Sequence, residues 1–305
     1  MIPAVISMFT VLNVTDDLTH CGHIGHTVSD FRRMCALATQ YGFQGVNIDF
    51  NADTGIALAE KGAILLDHGL KAVAFGLPLQ LYSEHDEARF VASLKVFEEH
   101  AQAARKLGCG IVIAYLPPYS QELRFDDYFR LMVDRLVRAA PILRDYGLQL
   151  AFEFIGPVET RLSSRYDFIH TIDGVRCLIA AAGLYGHAGF KLDAHHWQFS
   201  GAGRLDLQHL DPEYLLYVEL NDGLPGHGMF DMPEFRRELP LATGVTDIAG
   251  FMQGLRQKGY AGPVAIEPWS QRLRDMPVEE AVATVKAAFD QCMALPASTT
   301  PNRGE

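Results

Sequence analysis

Short runs of consecutive apolar residues alternate along this chain with longer stretches in which apolar positions recur at helical spacing. The short runs cover 5–11, 45–50, 72–77, 111–116, 149–155, 190–193, 215–220 and 263–267, and each reads as a buried strand. The longer stretches cover 28–41, 54–68, 86–107, 126–146, 168–183, 247–258 and 278–294, and each reads as an amphipathic helix. One further turn of helix is expected over 206–210, and Thr27 or Ser29 is placed to cap the first helix. Five junctions share one form: Tyr41-Gly42-Phe43, His68-Gly69-Leu70, Leu107-Gly108-Cys109, Tyr146-Gly147-Leu148 and Lys258-Gly259-Tyr260. In each, a glycine closes a helix just before a strand, where the left-handed conformation costs it least. Strand–helix alternation requires parallel strands joined by right-handed crossovers. Eight such units in about 290 residues predict an α/β fold, a closed (β/α)8 TIM barrel. The barrel is expected to be one domain over 1–295, with a flexible C-terminal tail over 296–305. An open doubly wound sheet is the alternative, disfavoured because no Gly-rich phosphate loop follows the first strand.

Four of the expected strands end on an acid: Gln149-Leu150-Ala151-Phe152-Glu153, Phe190-Lys191-Leu192-Asp193, Tyr214-Leu215-Leu216-Tyr217-Val218-Glu219 and Pro263-Val264-Ala265-Ile266-Glu267. A single acid at a strand end is more often a helix cap or a surface group. Four at equivalent points of neighbouring strands need a common explanation, because a buried ionised carboxylate is costly without a partner. In a barrel the chemistry sits at the C-terminal strand ends, and side-chain alternation lets all four acids point inward together. A bound cation is the simplest partner, and three or four oxygen ligands suit Mn2+ or Mg2+. Lys191 lies two residues before Asp193, so alternation turns it inward too, where it offsets part of the charge from the layer below. The competing reading bends Lys191 out to solvent.

Composition narrows the class of partner. The chain has 305 residues, 49% of them hydrophobic, and a formal net charge of −11, with its Lys and Arg residues scattered. A protein that tracks phosphate backbones is normally basic, so nucleic acid is not the expected partner. The five cysteines are odd in number and lack metal-type spacing, which fits a reducing cytoplasm. The N-terminus lacks a signal-peptide pattern, and no apolar run is long enough to span a membrane. A small-molecule substrate remains, and a homo-oligomer is compatible with this composition. His20, His23 and His26 have no regular metal spacing and read as a polar loop near the site.

At these residues the chain resembles the xylose-isomerase-like TIM-barrel superfamily, the sugar phosphate isomerase and epimerase group. That group is marked by a Glu ending strand five, Asp-x-x-His on strand six, usually a His on strand seven, and a Glu ending strand eight. The matches are Glu153 in Ala151-Phe152-Glu153-Phe154, Asp193 with His196, and Glu267 in Ala265-Ile266-Glu267-Pro268. Arg237-Glu238-Leu239-Pro240 through Gly244-Val245-Thr246-Asp247 resembles the segment that follows strand seven in the family. The strand-seven position departs, since it reads Glu219-Leu220-Asn221-Asp222 where the family usually has His.

The resemblance implies a divalent-metal-dependent isomerase or epimerase acting on a sugar or keto-polyol through an enediolate. Glu153, Asp193, Glu219 and Glu267 are the expected metal ligands, with Mn2+ the first choice and Mg2+, Co2+ or Zn2+ the alternatives. Glu153 and Glu267 are the expected acid–base pair. His196, Arg237 and Trp197 are the expected substrate contacts, a surface salt bridge being the competing reading of Arg237. Phe9, Phe75, Trp197 and Trp269 lie near strand ends, where they wall a sugar site or simply pack the core. Three rivals stand beside this reading. One is a lyase on the same scaffold, of the inosose dehydratase, dehydroshikimate dehydratase or 3-keto-glycoside type. Another is a nuclease of the endonuclease-four type, disfavoured by the acidic charge. The third is a non-catalytic sugar-binding subunit.

Overall fold

The computed structural model describes residues 8–12, 31–50, 56–82, 85–162 and 164–296. Its barrel strands are β1 (Phe9–Leu12), β2 (Gly45–Val46), β3 in two segments (Lys71–Ala72 and Ala74–Gly76), β4 (Ile111–Leu116), β5 (Gln149–Phe154), β6 (Ala188–Asp193), β7 (Leu215–Leu220) and β8 (Pro263–Ile266). Neighbouring strands pair in parallel all the way round. β8 pairs with β1, and the two segments of β3 pair with β2 on one side and β4 on the other, so the ring closes.

The crossovers carry α1 (Phe31–Gln40), α2 (Leu58–Asp67), α3 (Glu87–Leu107), α4 (Phe125–Tyr146), α5 (Ile172–Ala181), α6 (Arg204–His209), α7 (Ile248–Gln257) and α8 (Val278–Ala294). The glycine junctions behave as the sequence requires. Gly108 and Gly147 close α3 and α4 at φ values of 70° and 66°, where a side chain would be strained. Asp86 and Asp247 cap α3 and α7 by accepting from the backbone N–H of Arg89 and Gly250.

Alternation along the strands divides the interior in two. One face of each strand packs against the helices, burying Phe97, Leu136, Phe152, Phe190, Leu192, Val218, Phe251 and Phe289 in the main core. The other face turns into the barrel, where Val11, Val73, Ala74, Tyr217 and Ala265 form a small apolar plug. The acids of β5 to β8 lie one pleat beyond this plug, toward the C-terminal strand ends.

The structure departs from expectation in local ways. β2 and β3 are shorter than 45–50 and 72–77. α5 begins at Ile172 rather than 168, because Tyr166–Asp167 first pair antiparallel with Tyr119–Ser120 and Thr171 then caps the helix. A two-residue pairing has no periodicity for a sequence to display. Among the described residues, Cys35, Cys109, Cys177 and Cys292 form no disulfide, and no helix is long and apolar enough to cross a membrane. The early part of the first expected strand, the side chain of Phe9, the loop with His20, His23 and His26, the cap at Thr27 or Ser29, and 297–305 of the expected tail lie outside the described residues.

Gly189 in β6 holds the packing beneath the acids together. A Cβ built there would fall 2.3 Å from the carbonyl oxygen of Tyr214 and 3.0 Å from Leu216 Cγ, at the point where the β6–β7 register shifts. Gly189→Ala is expected to destabilise the protein by about 1–3 kcal/mol through overpacking against backbone. Urea unfolding of the variant against the parent checks this, and unchanged stability would show that β7 can move aside.

Candidate active site

Four adjacent strand ends bring Glu153, Asp193, Glu219 and Glu267 together, with one carboxylate oxygen of each within 4.8 Å of the others. Their placement follows from register: Glu219 lies beside Asp193 across β6 and β7, and Tyr115 lies beside Glu153 across β4 and β5. The acids are deep, with Asp193 at 1% and Glu219 at 0% relative exposure, against 7% for Glu153 and Glu267.

Two buried cations divide the acids between them. Lys191 Nζ lies 2.8 Å from Glu153 Oε2 and 2.8 Å from Glu219 Oε2. The inward reading of Lys191 is therefore the correct one. Arg237 Nη1 lies 3.0 Å from Glu267 Oε2 and 3.3 Å from Asp193 Oδ2. The surface reading of Arg237 fails, because its guanidinium is 1% exposed and wholly inside this cluster. Asn221 Nδ2 adds a 2.6 Å hydrogen bond to Asp193 Oδ2, and the backbone N–H of His196 donates to Asp193 Oδ1 at 2.9 Å. Asp193 thereby caps the short helix Ala194–Phe199, which follows β6 without a loop.

Sequence reasoning missed one acid. Glu234, in the loop after β7, is buried and accepts from Arg237 Nη2 at 2.6 Å. No strand periodicity marks it; its only signal is the spacing of three residues to Arg237. The loop that carries both is clamped by Asp222. That carboxylate accepts from the backbone N–H groups of Gly223, Thr243, Gly244 and Thr246 at 2.7–2.9 Å.

His196 joins the cluster as a neutral ring. Burial, then the nearby Arg237 charge, hold its pKa well below the usual histidine value. Arg237 Nη2 lies 3.2 Å from His196 Nε2 and the Gly156 N–H lies 3.4 Å from Nδ1; both can only donate, and a neutral imidazole has one acceptor nitrogen, so it accepts from one of them at a time. Gly156 has no room for a side chain, since a Cβ there would sit 2.2 Å from the His196 carbonyl oxygen.

The remaining expected contacts divide. Trp197 is not brought to the acids; it is buried against Phe251 of α7, with ring centroids 5.0 Å apart. The residue after His196 points outward because the short helix turns it toward the core. Phe75 packs edge-to-face on Phe50 inside the fold. Trp269, two residues after Glu267, stays half-buried at the mouth and packs edge-to-face on the exposed Phe235.

Burial makes this much negative charge hard to keep. Desolvation raises Glu153 to about 7; Lys191 opposes the rise, and Glu267 and Asp193 add to it. Desolvation raises Glu234 to about 7 as well, with Arg237 opposing. Glu219 is pushed well above the usual range, by burial first and Glu267 next. Burial would lower Lys191, but Glu153, Glu219 and Glu267 outweigh it and keep the ammonium charged.

A divalent cation fits these residues. The four donors are hard carboxylate oxygens from different strands, close enough to share one ion. Lys191 and Arg237 leave the five acids, Glu234 included, with three uncompensated negative charges when all are ionised.

Comparison with known proteins agrees with this geometry. The profile described as xylose isomerase-like TIM barrel matches residues 35–291. An inosose isomerase of Halalkalibacterium halodurans is 23% identical over 276 residues, spanning 90% of this chain and 89% of that protein. A xylose isomerase domain protein from Alicyclobacillus acidocaldarius subsp. acidocaldarius superposes with a TM-score of 0.82 at 26% identity, over 95% of this chain and 99% of that one. The IolI protein, solved with a zinc atom bound, superposes with a TM-score of 0.78 at 16% identity, over 94% and 98% of the two chains.

The raised acids predict how the metal-free protein responds to pH. The carboxyls of Glu153 and Glu234 ordinarily titrate at 4.5 and here reach about 7, so the fold favours their protonated forms. That stabilisation is complete below the unfolded value and is lost as pH rises through the folded one. Below about pH 6.5 the buried neutral rings of His195 and His196 give the opposite slope, so the Tm of EDTA-treated protein is expected to fall between about pH 6.5 and pH 8, and added Mn2+ to flatten the decline. A metal-free Tm that rises across this window would contradict the electrostatics described above.

Proposed function

We propose, from the premise that this chain belongs to the xylose isomerase-like TIM barrel family, that it is a divalent-metal-dependent isomerase or epimerase of a sugar or keto-polyol. The observation that carries the reading is the convergence of Glu153, Asp193, Glu219 and Glu267 on one point at the C-terminal end of the barrel. The inosose isomerase relative, matched over most of both chains, supports a cyclic keto-polyol as the substrate class. The zinc atom in IolI supports a divalent ion as the cofactor. Mn2+ is preferred on donor chemistry, since an all-carboxylate shell is hard.

A cation held by the four acids would polarise the substrate carbonyl. The protein's own groups do the rest. Glu153 and Glu267 stand on β5 and β8, the outer strands of the four, and so reach the substrate from two sides. One takes a proton from carbon, leaving an enediolate. The other returns a proton, to the neighbouring carbon in an isomerase or to the opposite face in an epimerase. Lys191 Nζ, 2.8 Å from Glu153 Oε2, holds that carboxylate in place. Arg237 orients Glu267 through its 3.0 Å bond. His196 stays neutral, so it adds no competing charge beside the reacting oxygens. Trp269 and Phe235 line the mouth, where aromatic faces pack against sugar C–H groups.

Two measurements test this reading. Substrate turned over in D2O should gain deuterium at the reacting carbon, and Glu153→Gln and Glu267→Gln should each lower turnover by about 10²-fold or more. Bound metal must be assayed in both, because losing a ligand would mimic losing a base. A double Gln variant that stays active with metal bound would exclude both as the acid–base pair. A product lacking the elements of water would instead identify the lyase reaction.

Chelation should abolish activity and Mn2+ should restore it. Glu219→His should shift preference towards Zn2+ or Co2+, because imidazole suits those ions. Metal titrations of the parent and the variant, scored by bound ion, decide whether Glu219 is a ligand. An unchanged preference would remove it from the set.

A further inference from the structure

The proton-transfer scheme routes no proton through Lys191, although it is the most buried ammonium of the site. Its Nζ lies 2.8 Å from one oxygen each of Glu153 and Glu219, at 4% relative exposure. Arg237 takes Asp193, Glu267 and the loop acid Glu234, and Lys191 takes Glu153 and Glu219. With all five acids ionised and both cations present, the site keeps three negative charges; without Lys191 it would keep four.

Position makes this ammonium a permanent member of the cluster. Lys191 shares the inward face of β6 with Asp193 but lies one pleat deeper. Tyr217 stands beside it in register on β7 and is itself fully buried, bonded through its hydroxyl to Asn47 Nδ2 at 3.0 Å. An ion arriving from the mouth meets the acids with Lys191 already beneath them and walled in. It cannot displace the ammonium to solvent, so the two positive charges must coexist at short range.

We propose that Lys191 is a positioning residue that tunes the acid cluster for a divalent cation: it fixes Glu153 and Glu219, and its charge lowers cation affinity and disfavours trivalent ions. This rests on the metal-dependent reading above. A merely structural lysine predicts the reverse sign, because removing it would loosen two ligands and weaken binding.

The test is a calorimetric titration of EDTA-treated parent, Lys191→Met and Lys191→Gln proteins with Mn2+, alongside Tb3+ luminescence titrations. The parent should bind one Mn2+ per chain. The variants should bind Mn2+ at least about ten-fold tighter, and gain a larger factor for Tb3+, since the repulsion removed scales with ion charge. Thermal melts should show a lower Tm for the metal-free variants and a larger rise on adding Mn2+. Lys191→Gln keeps a polar group of similar reach and serves if Lys191→Met does not fold. Parent binding with equal or weaker Mn2+ affinity in the variants would overturn the role of Lys191 alone. Absence of Mn2+ binding in parent and variants would overturn the metal-dependent reading and this inference with it.

Discussion

A carboxylate removed from water must find positive charge nearby or give up its own, and the acids at one end of this barrel impose that condition on everything around them. Four strand ends supply Glu153, Asp193, Glu219 and Glu267, and the loop after β7 supplies Glu234. Lys191 answers from below and Arg237 from the side. Two cations do not balance the set, and burial accordingly raises Glu153 and Glu234 to about 7. A divalent ion held by the acids would relieve the remaining imbalance and would couple metal binding to folding through one electrostatic quantity.

Fixing such a cluster takes rigid support from elements that carry none of its chemistry. Asp222 gathers four backbone N–H groups and so shapes the loop that delivers Glu234 and Arg237. Gln198, on the short helix after β6, donates to the carbonyl of Val245 and accepts from the N–H of Asp247, tying that helix to the same loop. Glycines let the backbones come close enough. Gly189 sits under the Tyr214 carbonyl, and Gly156 under the carbonyl of His196. These contacts hold the acid cluster near one geometry, the pre-organisation that a binding or catalytic site needs.

The two outer acids differ in their surroundings, and the difference bears on chemistry. Glu153 is held by an ammonium and Glu267 by a guanidinium that also serves Asp193, Glu234 and His196. Arg237 therefore couples the β8 acid, the histidine ring and the loop acid, whereas Lys191 couples the β5 and β7 acids. A change at either cation reaches several groups at once, and its effects should not be additive with those of its partners.

The sequence by itself determined the barrel and its four inward acids. Both are local: glycine-closed helices recur before apolar runs, and period-two alternation carries Lys191 and Asp193, or Tyr217 and Glu219, to one face wherever the strand lies. The tertiary structure alone decided how those charges are shared. Glu234 and Arg237 lie in an aperiodic loop; their three-residue spacing allows a pair, but their burial among the strand acids comes only with the folded loop. Trp197 shows the converse: its position beside His196 suggested a site wall, but the one-turn helix capped by Asp193 rotates it onto Phe251. Strand alternation is set within a few residues of chain. The direction of a loop side chain, and which cation meets which strand acid, depend on segments 28 to 44 residues apart that meet only when the barrel closes.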